Sequence, residues 1–196
     1  MSNAKTPALI LASASPRRRE LLARIGVVPD YIIPADINED PRKDELPKPH
    51  ALRLAIGKAR EIAPAHKGAY ILSADTVVGV GRRILPKAED EATAKTCLDL
   101  LSGRAHRVFT GVCLIAPDGR ERARVVETRL KMKRLSALEM RTYLDSGEWD
   151  GKAGGYGIQG LAGAFIAHLS GSYSNVVGLP VYETRNLLIG AGYIHG

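Results

Sequence analysis

Aromatic residues make up only 5% of this 196-residue chain, and cysteine occurs twice. With so few aromatics, and no basic run interleaved by them, a nucleic-acid groove built on base stacking is not expected. Cys97 and Cys113 are too few and too far apart for a zinc site or a redox pair. Each sits in an apolar run and reads as a small core residue. No stretch approaches the roughly 20 consecutive apolar residues that span a bilayer. Residues 1–6 carry no apolar signal core. Together with the cysteine usage this leads to the expectation of a reducing cytoplasm. The histidines at 50, 66, 106, 168 and 195 show no metal-ligand spacing. No G-x-S-x-G elbow occurs, which sets a serine hydrolase aside.

What is present is the balance of an ordinary globular protein, with 45% hydrophobic and 25% charged residues. The length suits one core, or two small lobes sharing one, so residues 1–196 are read as a single domain. Lysine and arginine number 28 against 21 acidic residues, a net charge of +7. That excess points to an anionic partner: nucleic acid, a phosphate-bearing small molecule or a membrane surface.

The apolar run at 8–12 reads as a buried strand, and Ser15 with Pro16 as the cap and first position of a helix that Gly26 stops. A second strand is expected at 31–33, and a polar, proline-rich surface loop over 34–49. The spacing of Ala51, Leu52, Ala55, Ile56 and Ala59 predicts a helix over 50–63. A central strand follows at 70–78 and an amphipathic helix at 89–101. Strands at 108–116 and 122–134 flank the turn Pro117-Asp118-Gly119. Ser136, with Glu139 as capping-box acid, starts a helix that runs to Asp145. The glycine-rich segment 149–163 reads as loop, 164–169 as strand and 181–188 as the last helix. This alternation predicts an α/β fold with a mixed, partly antiparallel sheet flanked by helices.

Three segments stand out chemically. In Ser13-Ala14-Ser15-Pro16-Arg17-Arg18-Arg19 a strand runs into a helix N-terminus, where free N–H groups and the helix dipole attract anions. Arginine in the first turn opposes the dipole, and a bound phosphate would compensate; otherwise these are solvated arginines on a capped surface helix. In Ser73-Ala74-Asp75-Thr76-Val77-Val78 a carboxylate interrupts an apolar strand, which is costly unless it is paired or metal-bound. Asp75 could bind Mg²⁺, act as a base toward water, or satisfy a turn at the strand's end. The segment Gly155-Tyr156-Gly157-Ile158-Gln159-Gly160 is formally G-x-G-x-x-G, but lacks the strand before and helix after that a dinucleotide fingerprint requires. It remains a loop whose backbone can approach a ligand, with Gln159 as a donor and acceptor suited to a nucleobase edge. Lys87 is a lone loop lysine that matters only if it faces the same phosphates.

These segments, with 101–111, 152–160 and 171–180, resemble in order and spacing the Maf family of nucleoside triphosphate pyrophosphatases. The resemblance covers nearly the whole chain. It implies a hydrolase that splits a nucleoside triphosphate between its α and β phosphates with a divalent cation, Mg²⁺ or Mn²⁺. It implies a two-lobed α/β fold with a central cleft similar to inosine triphosphatases, a homodimer, a cytoplasmic location and a link to septum formation or division arrest. Asp75 falls at the family's proton-acceptor position. Arg17, Thr76 and Gln159 match positions tied to substrate choice. Ser13, Arg18, Lys58 and Lys87 match the phosphate cleft, and Glu39 an acid that helps Asp75 hold the metal. Tyr156-Gly157-Ile158-Gln159-Gly160 resembles the branch acting on dTTP and UTP; the 7-methyl-GTP branch carries a serine-glutamate pair before the final glycine. The sequence departs at Ala88, where the family has proline, and at Asn38, where an acid often precedes Glu39. Two other classes compete: a basic nucleic-acid or septum-associated binding protein, and a phosphatase releasing orthophosphate.

Overall fold

The computed structural model describes residues 7–194; the N-terminal segment 1–6 and His195 lie outside them. The chain order is β1 (Leu9–Leu11), α1 (Pro16–Arg24), β2 (Tyr31–Ile32), α2 (Pro47–Ile62), β3 (Tyr70–Val80), β4 (Arg83–Leu85) and β5 (Lys87–Ala88). It continues through α3 (Glu91–Leu101), β6 (Ala105–Ile115), β7 (Glu121–Met132), α4 (Ala137–Asp145), β8 (Lys152–Ala153), β9 (Ile166–Ser170), α5 (Tyr173–Val177) and α6 (Val181–Gly190).

The main sheet runs β2-β1-β3-β6-β7-β9, with β4 folded back on β3. β1 is parallel to β2 and β3, and the remaining pairs are antiparallel. The mixed sheet flanked by helices expected from the sequence is therefore present. β3 and β6 pair along almost their whole length, from Ile71 opposite Ile115 to Gly79 opposite Arg107.

Two apolar clusters occupy the two ends of these strands. One gathers Leu9, Leu11, Leu22 and Leu187 around Leu72 and Leu114. The other gathers Leu98, Leu101, Leu130, Tyr143 and Phe165 around Val78 and Val108. The same two strands thus serve both clusters, and each fully buried leucine contributes on the order of 1.5–3 kcal/mol. A third cluster lies under α2, where Ala55 and Ala59 meet Ile10, Ile71 and Cys113. The approach of α2 is close: a Cβ on Gly111 would run into the Ala51 carbonyl oxygen. Cys97 and Cys113 are free and buried, and burial raises both thiols, Cys113 to about 12.

Several local expectations are corrected. α2 begins at Pro47, inside the expected loop, because two prolines in a first helical turn cost no intrahelical hydrogen bond. Ser15 occupies the N-cap position of α1 but makes no side-chain cap; its own N–H donates instead to Ser13 Oγ at 3.3 Å. α3 begins at Glu91, capped by Asp90. The last strand starts at Ile166, after a 3₁₀ turn over Leu161–Phe165. Lys87 and Lys152 sit in the short ladder β5-β8 rather than in loops. The capping box of Ser136 and Glu139 and the hairpin at Gly119 (φ +82°) are as expected.

Candidate active site

β1 and β3 deliver the chain to a cavity of about 450 Å³. It is bounded by the N-terminus of α1, the segment after β2, the middle of β3 and the glycine-rich segment after β8. Ser13, Arg17, Arg18, Glu39, Lys58, Asp75, Thr76, Lys87 and Gln159 all line it. Residues 146 positions apart in sequence (13 to 159) therefore meet in one place.

Asp75 lies in the interior of β3, not at its end, and only 4% of it is exposed. The cost of that burial is offset by the Lys58 ammonium, itself 7% exposed, whose Nζ donates to Asp75 Oδ1 at 2.6 Å. Lys58 also lies 2.6 Å from Oε1 of Glu39, and Lys87 donates to Oε2 of Glu39 at 2.7 Å. The four groups form one alternating chain: Asp75, Lys58, Glu39, Lys87. Burial of Glu39 works against its charge, but hydrogen bonds from Lys58 and Lys87 prevail and hold its carboxyl down at about 2.

The segment carrying Glu39 is strapped to α2. Arg53 donates to both oxygens of Glu45 at 2.7 and 2.8 Å and to the Asp40 carbonyl at 3.0 Å. His50 Nδ1 lies 2.8 Å from Glu45 Oε2. These contacts, Arg53 foremost, hold the Glu45 carboxyl at about 2 against its burial.

Arg18 is an anchor. It donates from Nε to the Gly178 carbonyl at 2.9 Å, from Nη1 to Ser13 Oγ at 2.7 Å and from Nη2 to Thr76 Oγ1 at 3.3 Å. Burial pushes its guanidinium down from the ordinary value, with Asp75 acting in the opposite sense. Thr110 donates to the Asn175 carbonyl, so its oxygen is left to accept from Thr76 at 3.0 Å. Thr76 is thus committed to the protein on both its donor and acceptor sides.

The far wall rests on two tyrosines. The Gly157 N–H donates to Tyr143 Oη at 3.3 Å, and Tyr156 Oη meets His106 Nε2 at 2.7 Å. Burial lowers His106 to about 4, so the imidazole is neutral near pH 7. Gln159 is exposed at the end of this wall. Lys152, Tyr156, His106 and the Glu45–Arg53 pair carry no expected role in the sequence. The first two lie in the motif 152–160 and His106 in the motif 101–111, whereas nothing local signals the Glu45–Arg53 pair.

Among the described residues no group of three or more His, Cys, Asp and Glu could enclose a metal ion. Magnesium is ordinarily held by one or two carboxylates together with substrate phosphates. Asp75 and Glu39 fit that kind of site in number and position, since both carboxylates line the cavity and Lys58 engages only Oδ1 of Asp75 and Oε1 of Glu39.

Fold and site together define an α/β cleft protein with a carboxylate–ammonium chain that runs from the buried Asp75–Lys58 pair out to the exposed Lys87. The chain belongs to the Maf family: the model for "Maf-like protein" matches residues 8–191. It is 64% identical to the dTTP/UTP pyrophosphatase of Caulobacter vibrioides, covering 95% of this chain and 97% of that one. It is 60% identical to that of Paramagnetospirillum magneticum, covering 94% and 97%. With that of Rhizobium meliloti it shares 56%, covering 97% and 95%. Among solved structures, a HAM1 protein from Coxiella burnetii overlays with a TM-score of 0.46 at 18% identity, covering 66% of this chain and 74% of that one. A nucleoside-triphosphatase / dITP/XTP pyrophosphatase from Mycobacterium abscessus gives 0.43 at 19%, covering 66% and 76%.

Proposed function

We propose that this chain hydrolyses dTTP and UTP between the α and β phosphates, releasing the nucleoside monophosphate and pyrophosphate. One observation carries the reading: relatives 56–64% identical over nearly their full lengths bear the name dTTP/UTP pyrophosphatase. The cavity supports it. A triphosphate is a polyanion, and attack by water at phosphorus must overcome repulsion that fixed cations offset. Arg17 at the N-terminus of α1, with Lys58 and Lys87, lies where phosphates would be met.

Asp75 is assigned as the group that takes the proton of the attacking water or helps hold the ion. Lys58 fixes its carboxylate through Oδ1, which leaves Oδ2 as the oxygen for that role. Asp75 and Glu39 would hold a Mg²⁺ or Mn²⁺ ion, which when bound supplies charge neutralisation at the phosphate oxygens. Ser13 and Arg18 shape the floor of the cleft through their mutual hydrogen bond. Gln159 is assigned to the base.

The cytoplasmic location, the homodimer and a part in division arrest remain further proposals. Among the described residues no helix is long and apolar enough to cross a membrane. Analytical ultracentrifugation and a deletion strain test the other two.

The deciding experiment is a panel of dTTP, UTP, CTP, 7-methyl-GTP and ITP with Mg²⁺ or Mn²⁺, scoring pyrophosphate and monophosphate separately. Pyrophosphate from dTTP and UTP is the expected result. Orthophosphate alone, or no product from any of them, rejects the reading.

A further inference from the structure

The cations around the cavity are of different kinds. Lys58 and Lys87 face carboxylates, and Arg18 spends three N–H groups on protein oxygens. Lys152 has no such commitment. Among the described residues it forms no ion pair, and its Nζ reaches only the Asp150 carbonyl oxygen, at 3.3 Å. Three N–H donors on that ammonium therefore meet one long contact. Burial, and then the nearness of Arg17, pull its ammonium below the ordinary lysine value; Glu148 and Asp150 oppose this only in part. A half-buried cation in this state leaves donor capacity facing the cavity it lines.

Its position says what it faces. A Cβ built on Gly157 would stand 2.9 Å from Lys152 Cε and 2.8 Å from Gln159 Nε2. Lys152 and Gln159 thus flank one bare glycine, whose N–H is pinned to Tyr143. The strand carrying Lys152 is itself pinned to β5. A ligand edge that touches Gln159 lies within reach of the Lys152 ammonium.

We propose that Lys152 is a specificity-determining residue that donates to a carbonyl on the pyrimidine edge, selecting thymine and uracil over cytosine. The inference rests on the pyrophosphatase reading above. Thymine and uracil present an oxygen acceptor at position 4, whereas cytosine presents an amino donor there. An ammonium has donors only, so it complements the first and opposes the second. Gln159, with one acceptor and two donors, takes the rest of the edge and by itself adapts to either base.

The test compares kcat/KM for UTP, dTTP and CTP in the wild type, Lys152→Met and Lys152→Arg, with pyrophosphate as the readout. The expected result for Lys152→Met is a fall in the UTP-to-CTP ratio of about tenfold or more, with Lys152→Arg retaining most of the discrimination. A phosphate contact, or a purely structural role, lowers all three substrates together and leaves the ratio unchanged. That outcome overturns the inference while the pyrophosphatase reading stands. Absence of pyrophosphate release by the wild type from every substrate overturns both. Should Lys152→Met fail to fold, Lys152→Gln gives the same comparison, and an unchanged ratio there rejects the proposal equally.

Discussion

The Lys58 ammonium sits 2.6 Å from Oδ1 of Asp75 inside the sheet, both side chains almost fully buried. Among the described residues the Asp75 carboxylate has no other ion-pair partner, whereas Lys58 also meets Glu39 Oε1 at 2.6 Å. Two substitutions separate structure from chemistry at this pair. Lys58→Met leaves Asp75 buried and uncompensated and is expected to cost about 3–5 kcal/mol of stability, read by urea denaturation. Asp75→Asn leaves Lys58 its second partner, Glu39. It should keep a nearly native melting temperature while kcat falls on the order of 10²–10⁴-fold. An Asp75→Asn enzyme with near-native turnover would remove Asp75 from the mechanism.

Acid stability should fall in two stages with different owners. His106 is neutral in the fold down to about pH 4, against 6.5 when free. Between those values the unfolded chain takes up a proton that the native protein refuses, so stability declines as pH drops from 6.5 toward 4. Glu39 and Glu45 have folded values of about 2 against 4.5. Their contribution is whole above pH 4.5 and is lost as pH falls toward 2. Unfolding midpoints measured from pH 7 to 3 should show both slopes. His106→Gln should flatten the upper slope and Glu45→Gln part of the lower one.

Gly111→Ala is expected to destabilise by about 1–3 kcal/mol or more. The new methyl group meets the Ala51 carbonyl and the Ala55 side chain of α2. A backbone carbonyl inside a helix cannot turn aside as a flexible side chain can. Thermal denaturation checks this; an unchanged melting temperature would mean that α2 rides more loosely on the sheet than described.

Gln159→Glu removes the amide donors and leaves only acceptors. Rates on dTTP and UTP should drop relative to CTP by about tenfold. Identical relative rates across the three nucleotides would place Gln159 away from the base.

Much of this arrangement was legible along the chain because its signals are local. Ser136 and Glu139 announce a helix start within one turn, and Gly119 announces a hairpin. The apolar runs at β1 and β3 announce buried strands. The motifs around Ser13, Asp75 and Gln159 mark pieces of the cleft, and those pieces do meet. What stayed hidden is what distance in sequence conceals. Glu39 and Lys87 are 48 residues apart, and nothing in either neighbourhood names the other as partner. The β5-β8 ladder is two residues long on each side, too short for a period to show. α5, five residues that include two valines, has no helical pattern of its own; it is held where Asn175 donates to the Val108 carbonyl and to Thr128 Oγ1. The helix N-terminus marks Arg18 as a cleft cation, but nothing near it in the chain names Gly178 and Thr76 as its partners, and only the fold brings them to it.

β3 and β6 run unbroken from one apolar cluster into the other and form the shared wall of the cleft. The connection between the two clusters is thus a paired double strand rather than a flexible linker. A motion of one cluster against the other would have to bend or twist that ladder rather than turn about a loop. The expected yielding parts are side chains and the segments carrying Glu39 and Gln159. Small-angle scattering of the free and nucleotide-bound protein should give the same radius of gyration.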